Sequence, residues 1–193
     1  MLRKVIQAFL LLVVMTLLTG VAYPLAVTGL GQLIFPRQAN GSLVRVNGRV
    51  VGSALIGQQF HGAQYFRPRP SAAGEGYDPR ASGGSNLGPT SRRLKQEVGA
   101  RLANVRKENG LTQASRVPSD LVTASASGLD PDVTPEAARL QIPRVARARG
   151  LSEDVVRRLV ARYERRPLWG ILGEPRVNVL ELNLALDGLT RGR

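Results

Sequence analysis

The run from Ser82 to Asn86, Ser-Gly-Gly-Ser-Asn, comes closest in residue type to a site for a charged ligand. Consecutive glycines leave backbone N–H groups free to surround an anion such as a phosphate. No G-x-x-x-x-G-K-[ST] motif is present, so the lysine and the magnesium-binding hydroxyl of a P-loop are missing. Gly83, Gly84, Ser85 and Asn86 are therefore nucleotide or anion candidates. In the alternative interpretation, the glycines make tight turns and Asn86 bonds to the backbone.

Hydrolytic chemistry would need a serine, a histidine and an acid that converge. His61 is the single histidine, and no serine lies in a G-x-S-x-G motif. We expect His61 to be a hydrogen-bonding loop residue. Asp78-Pro79 and Asp130-Pro131 are typical of turns, because an Asp side chain bonds to the backbone two residues on. The sequence predicts no catalytic residue. The serines available for such a site are Ser71, Ser82, Ser125 and Ser127.

Composition excludes further classes of site. The 193 residues include no cysteine and one histidine, so a disulfide framework, a thiolate nucleophile and a multi-histidine metal site are ruled out. We predict no metal and no cofactor in this chain. Lys and Arg number 27 against 14 Asp and Glu, a net charge of +13. The basic residues match no helix-turn-helix or RNA-binding signature, so we interpret them as solvated surface and predict no nucleic-acid partner.

An uncharged apolar stretch runs from Val5 to Phe35. A helix that spans a bilayer needs about 20 apolar residues, and this stretch exceeds that length. The alternative is a cleaved signal peptide, but the apolar region of a signal peptide usually covers only about 7–15 residues. We therefore predict an uncleaved transmembrane helix over residues 5–30, with a kink at Pro24.

Basic residues around this helix predict its orientation. Arg3 and Lys4 precede the span, which places the N-terminus in the cytoplasm by the positive-inside rule. The rest of the chain is also basic and weakly favours the opposite orientation, but long domains translocate largely regardless of charge. We expect residues 1–4 to form a cytoplasmic tail and residues 31–193 to form an extracytoplasmic domain.

The pattern after the span predicts one α+β domain with an early β-hairpin followed by several helices. Asn47-Gly48 lies between two β-branched runs, which is the strongest short signal for a hairpin. Apolar spacing predicts an amphipathic helix over 91–109 that ends at Gly110.

Capping signals mark the later helices. A hydroxyl followed by proline starts a helix at Thr134, and Pro143 predicts a break before its end at Gly150. Ser152 caps a helix over 153–165. The last segment, 177–186, alternates like a strand, yet its Asn-x-x-Glu spacing is that of a capping box, so we favour a helix.

A long connection over residues 68–90 is rich in Gly, Pro and Ser. Connections of this length are usually functional or disordered. Because Tyr77 and Leu87 provide side chains able to pack, we expect an ordered loop that touches a partner, with a flexible linker as the alternative. Two other segments are ambiguous. We expect a short strand and loop over 56–66, and a strand or a loop over 120–129.

Six sequence blocks occur in order along nearly the whole chain. They are YPLAVTGLGQ (23–32), GSALIGQQF (52–60), YFRPRPSA (65–72), YDPRASGGSNLGPTS (77–91), DLVTASASGLDPDVTPEAARLQIPRVARARGL (120–151) and LGEPRVNVLELNLALD (172–187). In these blocks the chain resembles the C subunit of the bacterial Kdp-type potassium-transporting ATPases, the KdpC family. One block alone would be weak, but six in register behind a single span are highly specific.

The resemblance implies a non-catalytic accessory subunit of a membrane complex. Its implied partners are a channel-like subunit that translocates potassium, a P-type ATPase subunit that uses ATP and magnesium, and a small membrane subunit. The implied location is the bacterial inner (cell) membrane. The implied role is assembly of the complex, together with raising the ATP affinity of its P-type ATPase as a catalytic chaperone. The alternative is a free-standing membrane-anchored extracytoplasmic binding protein or hydrolase.

Candidate contact residues fall in the span and in the long loop. Small or polar residues of a span can pack against another helix, and arginines beside the loop can contact anionic lipid headgroups or acidic partner surfaces. The candidates are Thr16, Gly20, Pro24, Thr28, Arg67, Arg69, Tyr77, Arg80 and Asn86. A domain with this excess of basic residues repels cations, so we do not expect it to concentrate potassium.

Overall fold

A computed structural model describes residues 1–191 and divides the chain into two compact units, Met1–Ser53 and Ala54–Arg193. The first unit contains α1 (Leu2–Leu17), a π-helical turn (Leu18–Ala22), α2 (Tyr23–Ile34), α3 (Pro36–Ala39), β1 (Leu43–Val46) and β2 (Arg49–Ser53). The second contains α4 (Arg92–Asn109), a 3₁₀ turn (Ser119–Leu121), β3 (Asp132–Val133), α5 (Pro135–Arg149), α6 (Glu153–Tyr163), β4 (Glu164–Arg165), β5 (Arg176–Asn178) and α7 (Val179–Arg191). The predicted α+β class is confirmed.

The N-terminal helix runs from Leu2 to Ile34 and is long and apolar enough to cross a membrane. None of its residues is buried within the chain, as expected for a helix whose apolar side chains face lipid or other helices. Pro24 cannot donate the hydrogen bond that the Gly20 carbonyl would accept. The structure accommodates this loss with the π-helical turn directly before Tyr23, where the sequence predicts a kink.

The predicted hairpin is confirmed. Strands β1 and β2 pair antiparallel, with a bulge between Val44 and Arg45. Asn47 and Gly48 form the turn with φ of 50° and 78°, the left-handed conformations that a two-residue type I′ turn requires.

The core of the second unit lies between α5, α6, α7 and a three-stranded sheet with the order β3-β5-β4. Its largest fully buried apolar side chains are Phe66, Ile142, Leu182, Leu186, Val145, Val156, Val160, Val177 and Val179. Helix α4 packs on this core through the half-buried apolar face that the sequence predicts, and it has no fully buried residue. Its predicted ends are confirmed, with Ser91 as N-cap and Gly110 in the left-handed conformation.

The break predicted at Pro143 is wrong. Helix α5 runs without interruption from the Thr134 cap, whose hydroxyl accepts a hydrogen bond from the Ala137 amide, to Gly150. A proline inside a helix removes one backbone hydrogen bond and crowds the carbonyl four residues earlier. Because Ile142 and Val145 on either side are buried in the core, tertiary packing holds the helix together through the proline.

The ambiguous segments resolve in different ways. Helix α6 ends at Tyr163, before the predicted end at residue 165, because Glu164 and Arg165 pair with β5. The helix predicted over 177–186 is confirmed in the main, since α7 starts at Val179 and the Asn178 side chain accepts a hydrogen bond from the Glu181 amide. The strand expected within 56–66 does not form. Segment 120–129 is a loop that begins with a 3₁₀ turn.

Candidate functional site

Two loops of the second unit lie against each other and contain most of the predicted site residues. The first loop is residues 66–91, and the second loop is residues 119–131. The first loop is ordered by its own hydrogen bonds, as the sequence predicts. The Ser71 hydroxyl accepts bonds from the amides of Ala73 (3.1 Å) and Tyr77 (2.7 Å), and the Tyr77 hydroxyl donates to the Arg69 carbonyl (2.5 Å).

Two buried side-chain amides fasten the start of the first loop to the helices. Asn183 on α7 accepts a hydrogen bond from the Phe66 amide (2.8 Å) and donates one to the Phe66 carbonyl (3.0 Å). Gln141 on α5 makes the same pair of bonds with the amide (2.7 Å) and carbonyl (3.2 Å) of Arg67. Each side-chain amide therefore bonds to both the N–H and the C=O of one residue, as a neighbouring β-strand would. The buried backbone groups thus have hydrogen-bond partners although they are not part of a sheet.

Arg144 on α5 forms hydrogen bonds both to Gln141 and to the backbone just before the first loop. Its guanidinium donates to the carbonyls of Ala63 (2.7 Å) and Tyr65 (2.9 Å) and to the Gln141 side chain (2.6 Å). Burial disfavours the charged form and lowers the pKa of Arg144 to about 10, against the opposing effect of Glu108. The group still carries its charge at neutral pH, where the hydrogen bonds compensate for its lost hydration.

The second loop packs against the first at a close backbone approach. The Ser127 carbonyl accepts hydrogen bonds from the Gly83 amide (2.9 Å) and from the Ser82 hydroxyl (3.0 Å). A Cβ atom at Gly128 would lie 2.6 Å from both the Ala73 amide nitrogen and the Gly83 carbonyl oxygen. The lack of a side chain at Gly128 therefore permits the two loops to touch, and the Gly83 amide already has a partner within the chain. The tight turns expected at Gly83 and Gly84 do not form, since residues 82–88 adopt no turn and neither glycine has a positive φ.

Most of the candidate residues with arginine or aromatic side chains in the first loop form contacts within the chain. Arg67 donates to the Phe60 carbonyl and pairs with Glu108. Arg69 forms a 2.9 Å ion pair with Asp130 of the second loop. Tyr77 is half-buried, whereas the side chain of Arg80 is 90% exposed and remains accessible to a partner.

The remaining candidates are distributed over both units. Asn86 is exposed in the first loop, with φ of 52°. Thr16, Gly20, Pro24 and Thr28 all lie in the exposed N-terminal helix and are spaced four residues apart, which aligns them along one helical ridge.

The serines and His61 do not form a catalytic arrangement in the part of the chain that the structure describes. The Ser82 hydroxyl donates to a backbone carbonyl and Ser71 accepts from two amides. Ser125 and Ser127 bond to each other at 3.3 Å, and His61 is exposed in a separate loop. The turn interpretation of the aspartates is confirmed, since Asp78 and Asp130 each accept a bond from the amide two residues on.

Sequence reasoning missed a cavity of about 220 Å³ beside the second loop, where four acidic side chains gather. Two of the acids are neutralised by ion pairs, Asp130 with Arg69 and Asp132 with Arg176. Burial raises the pKa of Asp132, against the opposing effects of a hydrogen bond from Asn178 and the charge of Arg176. Within residues 1–191, no group of three or more acidic or histidine side chains is arranged to hold a metal ion. The acidic residues lining the cavity are Asp120, Asp130, Asp132 and Glu174.

Comparison with known proteins covers both units. A family model described as the K+-transporting ATPase, c chain, matches residues 5–188. The chain is 52% identical to the potassium-transporting ATPase KdpC subunit of Rhodopseudomonas palustris over 97% of this chain and 98% of that protein. The chain belongs to the KdpC family. It is also 54% identical to the KdpC subunit of Mycobacterium tuberculosis and 63% identical to that of Myxococcus xanthus, over 97% and 91% of this chain.

Family membership indicates the role of this chain. This KdpC chain is a non-catalytic subunit of a potassium-transporting ATPase. The arrangement of its serines, glycines and arginines fits that role, because these groups hold backbone segments together.

Titration of Tyr77 in this KdpC chain tests whether the first loop is closed in solution. Burial raises the pKa of Tyr77 to about 12, against the smaller opposing effects of Arg67 and Arg101. Because an unfolded tyrosine loses its proton near pH 10, the stability that this group contributes is present below about pH 10 and is lost as the pH rises to about 12. We expect a late step in the tyrosinate absorbance of the full chain that Tyr77→Phe removes and Tyr163→Phe leaves in place.

An absorbance titration of the wild type without any step above pH 11 would show that the phenol is solvated, and would contradict the closed first loop.

Proposed function

We propose that this chain is the accessory C subunit of a Kdp potassium pump, which it helps to assemble and whose ATP affinity it raises. The observation that supports this most strongly is the alignment over 97% of this chain and 98% of a KdpC relative, which includes both the apolar helix and the domain. The partners would be the channel-like potassium-translocating subunit, the P-type ATPase subunit, which hydrolyses ATP, and the small membrane subunit.

The proposed topology is a single pass with residues 1–4 in the cytoplasm and the domain outside. Arg3 and Lys4 at the start of an apolar helix support this orientation. In that topology the Gly83–Asn86 segment is kept away from cytoplasmic ATP. The engaged amide of Gly83 also argues against its use as an anion site. Nucleotide binding is therefore assigned to the P-type ATPase of the complex, not to this chain.

The contact surfaces would be the helical ridge of the span and the exposed residues of the first loop. Thr16, Gly20, Pro24 and Thr28 have small or compact side chains, which let another helix approach closely. Arg80 and Asn86 are exposed on the first loop and available to the outer face of a partner. An effect on ATP affinity would then result from preferential binding to one state of the pump.

The proposal is tested by comparing the pump purified with and without this chain. We expect the chain to co-purify with the channel-like and P-type ATPase subunits. We also expect its omission to weaken ATP binding at the P-type ATPase by about 5–150-fold, the usual range of coupling between distant sites. Equal ATP affinities of the two preparations would contradict the chaperone role, and failure to co-purify would contradict membership of the complex.

A pair of glycine variants tests the ridge separately. Gly20 is one of the four ridge residues, whereas Gly29 follows Thr28, the last of them, and is not part of the ridge. An added side chain at either glycine would not clash with another atom of the chain. We expect Gly20→Leu to reduce co-purification and Gly29→Leu to leave it unchanged. Equal effects of the two substitutions would contradict the assigned ridge.

A further inference from the structure

The connection between β4 and β5 exposes a cluster of large apolar side chains at its tip. We call Leu168, Trp169, Ile171 and Leu172 the apolar tip. Their exposed fractions are 60%, 80%, 80% and 54%. Adjacent exposed apolar residues of this size are rare on soluble domains and usually mark a surface that contacts another molecule or a membrane.

The backbone of the apolar tip is tightly folded. The Ile171 amide donates to the Leu168 carbonyl (3.2 Å), and the Leu168 amide donates to the Leu172 carbonyl (2.9 Å). Trp169 and Gly170 have φ of 54° and 78°, which makes a type I′ turn. Asparagine or glycine would adopt the first of these conformations at a lower cost than tryptophan. Folding of the hairpin therefore does not explain the tryptophan.

Basic side chains precede the apolar tip along the chain. Arg158 and Arg162 are one turn apart on α6, and Arg166 begins the connection that holds the tip. All three are exposed, and none of them forms an ion pair with another residue of the described range 1–191. We call these three residues, grouped by their positions shortly before the tip in the sequence, the basic patch. Other arginines of this region, such as Arg157 and Arg165, are paired with acids.

We propose that the apolar tip inserts into the interfacial region of an anionic bilayer while the basic patch binds its headgroups. Tryptophan favours the level of the headgroups, and leucine and isoleucine favour the acyl boundary below. Each arginine adds attraction to anionic lipid. A flat lipid surface accepts a protruding tip without a matching pocket.

The N-terminal helix makes this contact accessible. With Leu2–Ile34 in a bilayer, the domain is tethered to lipid, and its effective concentration at that surface is high. A weak interfacial contact is then sufficient to keep the apolar tip bound at the bilayer surface. The contact requires the anchored helix but not the pump. Two arginines of the first loop are less suited to this role, since Arg67 and Arg69 already have acidic partners in the chain.

The single tryptophan of the chain allows a direct test, because all tryptophan emission comes from Trp169. The full chain is reconstituted into vesicles of phosphatidylcholine alone or mixed with phosphatidylglycerol, with and without acyl chains brominated near the headgroup. In anionic vesicles we expect emission shifted to the blue and strongly quenched by brominated lipid. Ile171→Glu should reverse both effects, since a charge at the tip opposes insertion.

A charge-matched pair of triple variants tests the basic patch. Arg158→Gln, Arg162→Gln and Arg166→Gln together should shift the inserted population back toward the released one, by about fivefold per arginine removed. Replacement of Arg92, Lys95 and Lys107 on α4 by Gln removes the same charge and should leave quenching unchanged.

Three results would overturn the proposal. Trp169 emission that stays unquenched by brominated lipid would show that the apolar tip remains in water. Equal quenching in neutral and anionic vesicles would remove the basic patch from the contact. A blue shift that appears only when the other pump proteins are added, without quenching by lipid, would assign the tip to a protein partner. None of these results bears on co-purification or ATP affinity, so the pump role is tested independently.

Discussion

Replacement of Asn183 by leucine is expected to lower the free energy of unfolding by about 2–5 kcal/mol. Leucine has the same branched shape as asparagine and is no smaller, so no cavity opens, but the amide and carbonyl of Phe66 both lose their partner. Phe66 and Asn183 are each 0% exposed, so water cannot replace the lost bonds. The measurement is urea unfolding of the full chain in detergent, followed by circular dichroism.

Asn104→Leu provides the matched control for this substitution. Asn104 is exposed on α4, and the same change there should alter the free energy of unfolding by no more than about 0.5 kcal/mol. If both variants unfolded at the same urea concentration, the Phe66 backbone would have found other partners. The interpretation of Asn183 as a substitute for a strand would then be wrong.

Local signals in the sequence predict the parts of the fold that depend on neighbouring residues. Asn47-Gly48 specifies its hairpin because the left-handed turn conformation is a property of those two residues. Ser91, Thr134 and Gly110 mark helix ends because each bonds to, or terminates, the helix beside it. The apolar helix follows from length and composition alone.

Pairings between distant residues could not be predicted in this way. The Phe66–Asn183 pair spans 117 residues, and no local pattern distinguishes an asparagine that satisfies a buried backbone from one on the surface. At Pro143, by contrast, a local signal was present but led to a wrong prediction. The local effect of the proline on the helix is real, yet the buried residues around it decide the outcome.

Order in the long connection could be predicted from the sequence, whereas the contacts of its arginines could not. The long connection is ordered, as expected, because Ser71 and Tyr77 bond within it. Arginines beside a loop, however, look alike in a sequence whether they face a partner or the chain itself. The acids that pair with Arg67 and Arg69 lie 41 and 61 residues away, so their internal contacts emerge only from the folded chain.

A second large effect is expected at Gly128, where Gly128→Ala should lower the free energy of unfolding by about 2–5 kcal/mol. Its φ of +67° disfavours any side chain, and the new Cβ would lie 2.6 Å from two backbone atoms of the first loop. A flexible side chain could rotate away from the new Cβ, but these backbone atoms cannot, so the two loops must separate. Urea unfolding measures the loss, and separation should also expose Tyr77 and lower its pKa.

Gly110→Ala separates the two causes of this loss. Gly110 has nearly the same backbone conformation, with φ of +65°, but no atom within 4 Å of the added Cβ. That variant should lose only the cost of a left-handed alanine, about 1–2 kcal/mol, and should keep the high pKa of Tyr77. The excess loss at Gly128 then measures how closely the loops must meet. If the two variants were equally stable, the contact between the loops would be loose, and the second loop would not fix the position of the first-loop residues proposed to contact the pump.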